Sequence, residues 1–129
     1  CALPIYLGKV SKTALPSAGV TAAATKFTIK LINCPATVST ASVKFDAESY
    51  SGDDTVIALK QESGVATGVG IQITDDANTV VPLFTASKTY PLKEGVENNL
   101  DFRARYIAKT DSVTAGLANA NATFTINYN

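Results

Sequence analysis

Apolar and polar residues alternate along much of this chain with a period of two. The longest example covers residues 100–108, where Leu100, Phe102, Ala104, Tyr106 and Ala108 are separated by Asp101, Arg103, Arg105 and finally Ile107. Successive side chains of a strand point to opposite faces, so this pattern predicts a strand with one face on a core and one toward water. Residues 27–31, 43–45 and 69–73 show the same period and predict further strands.

The last residues, 122–128, form another alternating segment. Phe124, Ile126 and Tyr128 would share one face, with Thr125 and Asn127 on the other. The segment contains no charge and no proline, which are the usual means of keeping an exposed strand edge from pairing with other chains. The sequence therefore predicts a terminal strand that a partner strand can pair with.

Turn signals separate the predicted strands. Residues 51–54 (SGDD) and 75–78 (DDAN) are turn sequences, and residues 11–25 predict a long connection. Residues 79–84 and 89–92 predict short extended pieces whose prolines favour the edge of a sheet. No segment shows the 3.6-residue period of a helix. The pattern favours an antiparallel β-sandwich, with a small β-barrel as the alternative.

Composition narrows the possible partners. A chain of 129 residues, 46% apolar, is the size of one domain with its own core. Eleven Lys and Arg residues balance eleven Asp and Glu residues, and the formal net charge is zero. A neutral chain without a basic block is not expected to bind nucleic acid or an anionic membrane. No signal peptide and no apolar run long enough to cross a bilayer are visible.

The titratable residues give little support to catalysis. Histidine, the usual general base near neutral pH, is absent. The Asp53-Asp54 and Asp75-Asp76 pairs lack the ligand spacing of a calcium loop and are interpreted as turn residues. Arg103 and Arg105 could clamp a carboxylate, but on the polar face of a strand such side chains are more often solvated. We expect no enzymatic activity, no metal and no cofactor.

The two cysteines, Cys1 and Cys34, are the only sulfur atoms in the chain. A zinc site would lack ligands, because there is no histidine and no further cysteine. The pair predicts a disulfide and therefore an oxidising compartment. Two buried reduced thiols are the alternative.

Several segments together resemble the structural subunits of bacterial chaperone–usher pili, especially the major rod pilin of type 1 fimbriae. The resemblance covers nearly the whole chain. It rests on the cysteine pair, on the penultimate Tyr128, on Gly116 as the fourteenth residue from the end, and on residues 33–35 (NCP), 66–73 (ATGVGIQI), 102–106 (FRARY) and 116–124 (GLANANATF).

This resemblance implies an all-β, incomplete immunoglobulin-like sandwich over residues 1–129, a single pilin domain that lacks its C-terminal strand. A donor strand from another chain or peptide would complete it. The groove for that strand would be bordered by Gly116, Phe124, Ile126 and Tyr128 on one side and by Ile5 and Leu7 on the other. The disulfide would tie the first strand to the end of the second.

The resemblance also implies the partners. A periplasmic chaperone would fill the groove and hold the carboxylate of Asn129, and at the outer-membrane usher the next subunit would replace it. Family members carry this donor extension ahead of the first cysteine, and the present sequence begins at Cys1, so we expect the extension to be absent from this chain.

The expected function is a structural subunit of the fimbrial rod. It would form a homopolymer that passes through the periplasm to an extracellular fimbrium and supports adhesion. The alternative is a carbohydrate-binding adhesin, or the pilin domain of one, at the fimbrial tip.

Overall fold

The computed structural model describes residues 21–31, 37, 39–114 and 116–129, with the side chains of 21–24 left out. These residues form eight strands: β1 (Thr21–Leu31), β2 (Thr40–Ala47), β3 (Ser49–Tyr50), β4 (Asp53–Ile57), β5 (Val69–Asp75), β6 (Tyr90–Pro91), β7 (Asn98–Ala108) and β8 (Ala122–Tyr128). The described part of the chain contains no helix, and hence none that is long and apolar enough to cross a membrane. Cys1 and Cys34 lie outside the described residues, so their disulfide stays a prediction.

The strands form two antiparallel sheets. One has five strands in the order β1-β7-β5-β4-β3, and the other has three in the order β6-β2-β8. Their inner faces pack on each other, since Phe45 of the smaller sheet contacts the ring of Phe102 in the larger one at 5.2 Å between centroids. The predicted all-β sandwich is therefore confirmed, and the barrel alternative is not.

The alternation in residues 100–108 has the predicted consequence. Leu100, Phe102 and Ala104 are buried on the inner face of β7, whereas Asp101, Arg103 and Arg105 reach the outer face with partial or full exposure. Phe102 is the centre of the core, because its ring contacts Phe27, Phe45 and Tyr90. A period-two pattern of this length thus placed both faces of the central strand correctly.

The predicted turns are also confirmed. Ser51 and Gly52 have positive φ angles of 47° and 82°, and Asn78 has a φ of 65°. The carboxylate of Asp75 accepts hydrogen bonds from the amides of Ala77 and Thr79, which closes the turn after β5. Pro91 lies in β6 at the edge of the smaller sheet, where its missing N–H does not interrupt a ladder.

Two boundaries were predicted wrongly. β1 begins at Thr21, inside the stretch predicted as a connection up to residue 25, and Thr21 and Ala22 pair with Ile107 and Tyr106 of β7. The register shifts between Ala22 and Thr25, and a run of alanines carries no apolar alternation that would reveal a strand. Residues 79–84 do not form a strand; they run beside β5 with one isolated bridge between Thr74 and Val80.

The hydroxyl of Thr74 offers a test of packing in the larger sheet. Thr74 is 1% exposed, and its Oγ1 has no hydrogen-bond partner among the residues that the structure describes. A buried polar atom without a partner destabilises the fold, whereas an apolar group of the same shape does not. We expect Thr74→Val to raise the free energy of unfolding by about 1 kcal/mol in urea titrations. Thr125→Val, on the exposed face of β8, should change it little. A loss of stability in Thr74→Val would contradict the assignment.

Candidate functional site: the border along the last strand

The last strand lies at the edge of the smaller sheet. Among the described strands β8 pairs only with β2, in antiparallel register, with Phe124 opposite Phe45 and Ile126 opposite Val43. The other edge of β2 is covered, because it pairs with β6 and bonds the segment at Phe84 and Ser87. Within the described residues, β8 is therefore an edge strand of this sheet, and its ladder has a strand partner on one side.

Burial changes abruptly between β2 and β8, although their inner side chains lie directly opposite. Val43 and Phe45 of β2 are 0% and 2% exposed. Phe124 and Ile126 of β8 are only half-buried, and Tyr128 is 40% exposed. Apolar side chains on the inner face of a sandwich are normally covered on both sides. The apolar side chains on the inner face of β8 thus have β2 beside them on one side, and they remain partly accessible to solvent.

A cavity of about 650 Å³, partly open to solvent, lies between the two sheets at the start of β8. Its volume is in the range of ligand pockets. Its walls are mostly apolar, and the described residues that line it are Phe27, Phe45, Ile57, Ile71, Ile73, Ala104, Ala118, Asn119, Ala120, Asn121, Ala122, Thr123 and Phe124. Both sheets contribute, and the approach to β8 forms one wall.

Gly116 positions the segment that leads into β8. Leu117 donates to the carbonyl of Gly64 and accepts from the amide of Ala66, both at 2.8 Å, so two chain segments lie directly against each other. A Cβ on Gly116 would lie 2.3 Å from the carbonyl oxygen of Gly64 and 2.8 Å from the nitrogen of Ala66. Both are backbone atoms and have little freedom to move. A glycine is required here because the two backbones approach so closely.

Asn129 continues the ladder between β8 and β2. Its main-chain oxygen accepts hydrogen bonds from the amides of Ser39 and Thr40 at 2.6 and 3.1 Å, and from the hydroxyl of Ser39 at 3.1 Å. Its amide donates to the carbonyl of Thr40. These bonds hold residue 129 in a defined place at the end of the border.

Phe124, Ile126 and Tyr128 lie on β8, Asn129 follows the strand, and Gly116 lies in the segment that leads into it. Their role as the border for a donor strand stays a prediction. Ile5 and Leu7, predicted for the opposite border, lie outside the described residues. Sequence reasoning missed the part of Phe27, Phe45, Ile73 and Ala118 in lining the cavity. Their alternation identified the first three as core residues, but nothing local distinguishes a side chain that faces a void from one that faces a neighbour.

The acidic pairs take structural positions. Asp75 closes a turn, as described above, and Asp53 accepts a hydrogen bond from the Lys109 ammonium at 2.5 Å as well as from the hydroxyl and amide of Thr55. The bonds from Lys109 and then Thr55 lower the pKa of Asp53 to about 2. In the described part of the chain, no group of three or more Asp, Glu, His or Cys residues is arranged to hold a metal ion.

The low pKa of Asp53 predicts a loss of stability in acid. Its folded pKa is below the unfolded value, so the stabilisation is present above about pH 4 and is lost as the pH falls toward 2. Since Asp53 and Lys109 are partly exposed, we expect at most about 1 kcal/mol. Urea unfolding at pH 5 and at pH 2.5 measures it, with Asp53→Asn as the control for all other carboxylates. An equal loss in both proteins would contradict the prediction.

Comparisons with known proteins agree with this architecture. The profile of the family described as "Fimbrial protein" matches residues 3–129. The chain is 42% identical over 127 residues to the type-1 fimbrial protein, C chain, of Escherichia coli, covering 96% of this chain and 69% of that protein.

Two solved structures share the fold. A type I fimbria protein and antigen of Burkholderia pseudomallei superposes with a TM-score of 0.78 at 35% identity, covering 98% of this chain and 82% of that one. The P pilus rod subunit PapA superposes with a TM-score of 0.77 at 26% identity, covering 98% and 92%. The fold is therefore the incomplete immunoglobulin-like sandwich of pilus subunits, and the chain belongs to the fimbrial protein family as a structural subunit.

Proposed function

We propose that the border formed by Gly116, Phe124, Ile126, Tyr128 and Asn129 receives an extended strand from another chain, which completes the sandwich. The observation that carries this proposal is the half-burial of Phe124 and Ile126 directly opposite fully buried residues of β2, beside a cavity of about 650 Å³. Main-chain hydrogen bonds to β8 would supply affinity, and alternate side chains of the added strand would enter the space between the sheets.

The proposed role is mechanical rather than catalytic. Residues 1–129 act as one pilin domain whose border is first occupied by a periplasmic chaperone and then, at the outer-membrane usher, by a strand of a neighbouring pilin in a homopolymeric rod. Ile5 and Leu7 form the opposite border, and the Cys1–Cys34 disulfide joins the first strand to the end of the second. The location follows from these partners: the periplasm during assembly and the bacterial surface afterwards.

The hydrogen bonds of Asn129 are relevant to chaperone capture. They place Asn129 at the end of β8, next to Ser39 and Thr40. A chaperone strand that pairs along β8 would meet the main chain of Asn129 in this fixed position.

Hydrogen–deuterium exchange tests the location of the added strand. A peptide of alternating apolar residues, here called the complementing peptide, is added in excess, and exchange is followed along the chain by mass spectrometry. We expect slower exchange within Ala122–Tyr128, at those amides that do not bond to β2, and unchanged exchange at Ser51 and Gly52 in the turn between β3 and β4. Protection elsewhere, with none along β8, would contradict the proposal.

A further inference from the structure

The wall of the cavity just before β8 belongs to neither sheet. The ladder between β8 and β2 begins at Ala122, whereas residues 118–121 line the cavity without forming part of a strand. We call residues 118–121 the wall. Ladder hydrogen bonds fix the place of a strand in its sheet, and the wall has none of these bonds to β2. Its distance from the larger sheet must therefore be set by other contacts.

The connection between β4 and β5 provides these contacts. In the part of the chain that the structure describes, the main-chain hydrogen bonds of Leu117 and Asn119 all go to residues 60–66. Besides the two bonds of Leu117 described above, the carbonyl oxygen of Asn119 accepts from the amide of Lys60 at 2.6 Å. We call residues 60–67 the brace. Because the brace joins two strands of the larger sheet and the wall leads into the smaller one, these bonds connect the two sheets.

A pair of threonines fastens the end of the brace. The amide of Thr67 donates to the Oγ1 of Thr114 at 3.0 Å, and the amide of Thr114 donates to the carbonyl oxygen of Thr67 at 3.1 Å. The two hydroxyl oxygens also lie within hydrogen-bond distance, at 2.6 Å. Both residues are exposed, so their hydroxyl groups can be replaced without disturbing the core. The pair therefore offers a way to loosen the brace alone.

The brace shapes the cavity without lining it. The structure describes all of residues 60–67, and none of them is among the residues that line the cavity. Ala66 of the brace and Ala118 of the wall are both buried, at 4% and 1% exposure, next to the bonds that Leu117 makes. The brace residues would thus act on a bound strand only through the wall, which makes them positioning residues rather than contact residues.

We propose that the brace, fastened by Thr67 and Thr114, holds the wall in the place where the cavity can admit an apolar side chain of an added strand. This inference rests on strand addition at β8, the function proposed above. A wall that is already ordered loses little conformational entropy when the side chain enters, whereas a loosened wall has to be ordered first. The brace therefore raises the affinity at one end of β8 without touching the added strand.

Thr114→Val tests the brace, because it removes the acceptor of the Thr67 amide and the hydroxyl pair while keeping the branched shape. Isothermal titration calorimetry compares two ligands. One is the complementing peptide, and the other, the short peptide, lacks the two residues at the end that protects Ala122 and Thr123 from exchange. We expect the affinity for the complementing peptide to fall about fivefold and that for the short peptide less than about twofold. A general loss of stability would weaken both alike.

Two control variants separate the brace from unspecific effects. Thr114→Ser keeps the hydroxyl oxygen and should bind both peptides as the wild type does. Thr110→Val makes the same change at another exposed threonine, whose hydroxyl bonds only the main chain of Ser112 in the described part of the chain. Because these bonds stay within one turn and do not reach the brace, Thr110→Val should leave both affinities unchanged.

Hydrogen exchange followed by NMR reads the brace directly, at the amides of Ala66 and Leu117 that join it to the wall. In the free protein, Thr114→Val should speed exchange at both amides about fivefold. Since coupling between two sites is reciprocal, the complementing peptide should slow exchange at these amides in the wild type, and the short peptide should not. The proposal requires both faster exchange and the selective loss of affinity in Thr114→Val; either one without the other, or neither, would overturn it. Failure of strand addition itself is distinguishable, because the wild type then binds neither peptide.

Discussion

The complementing peptide is expected to raise the melting temperature of this chain by about 15 °C at a concentration near 1,000 times its dissociation constant. Binding to the folded state alone contributes about 4 kcal/mol under these conditions. The structural reason is the half-buried inner face of β8, where Phe124 and Ile126 lack the cover that their partners on β2 have. Differential scanning calorimetry with and without the peptide measures the shift.

Two variants of β8 show whether the shift comes from this border. In Phe124→Glu a carboxylate replaces an apolar ring that lines the cavity. Burial of this carboxylate under the peptide would remove its hydration and leave the charge without a partner. We expect the shift to fall below about 3 °C, since affinity drops sharply. Thr125→Glu introduces the same charge on the exposed face and should keep most of the shift. Equal effects in both variants, or no shift in the wild type, would refute strand addition at β8.

Gly116→Ala is expected to destabilise the fold strongly. The new Cβ would lie 2.3 Å from the carbonyl oxygen of Gly64, and one of the two backbones would have to move. Overpacking against atoms that cannot rotate away should lower the free energy of unfolding by about 3 kcal/mol. Because this segment leads into β8 and lines the cavity, the affinity for the complementing peptide should fall as well.

Gly95→Ala provides the control for this prediction. Gly95 has a φ of 72°, and a Cβ there would meet nothing within 4 Å. Its replacement should cost only the strain of a left-handed alanine, about 1–2 kcal/mol, and should leave the peptide affinity unchanged. Urea unfolding and isothermal titration calorimetry give the two quantities. If Gly116→Ala is no more destabilising than Gly95→Ala, the close approach to Gly64 is not what requires a glycine.

The amino-acid sequence by itself determined the period-two patterning and therefore the sandwich. Alternation assigned the faces of β7 and β8, and the residues at 51–54 and 75–78 predicted turns that the structure confirms. These features are local, because side-chain direction along a strand and backbone preferences at a turn depend on neighbouring residues. The same alternation, together with the family resemblance, predicted Phe124, Ile126 and Tyr128 as border residues, and this role stays a prediction.

Only the tertiary structure decided what those local features build. The pairing of Phe124 with Phe45, the cavity of about 650 Å³ and the contact of Gly116 with Gly64 join residues far apart in the chain. The same holds for the early start of β1, whose alanines show no pattern and whose first residues are ordered by pairing with β7. Periodicity shows which side chains face inward, but whether the space they face is filled depends on how distant strands pack together.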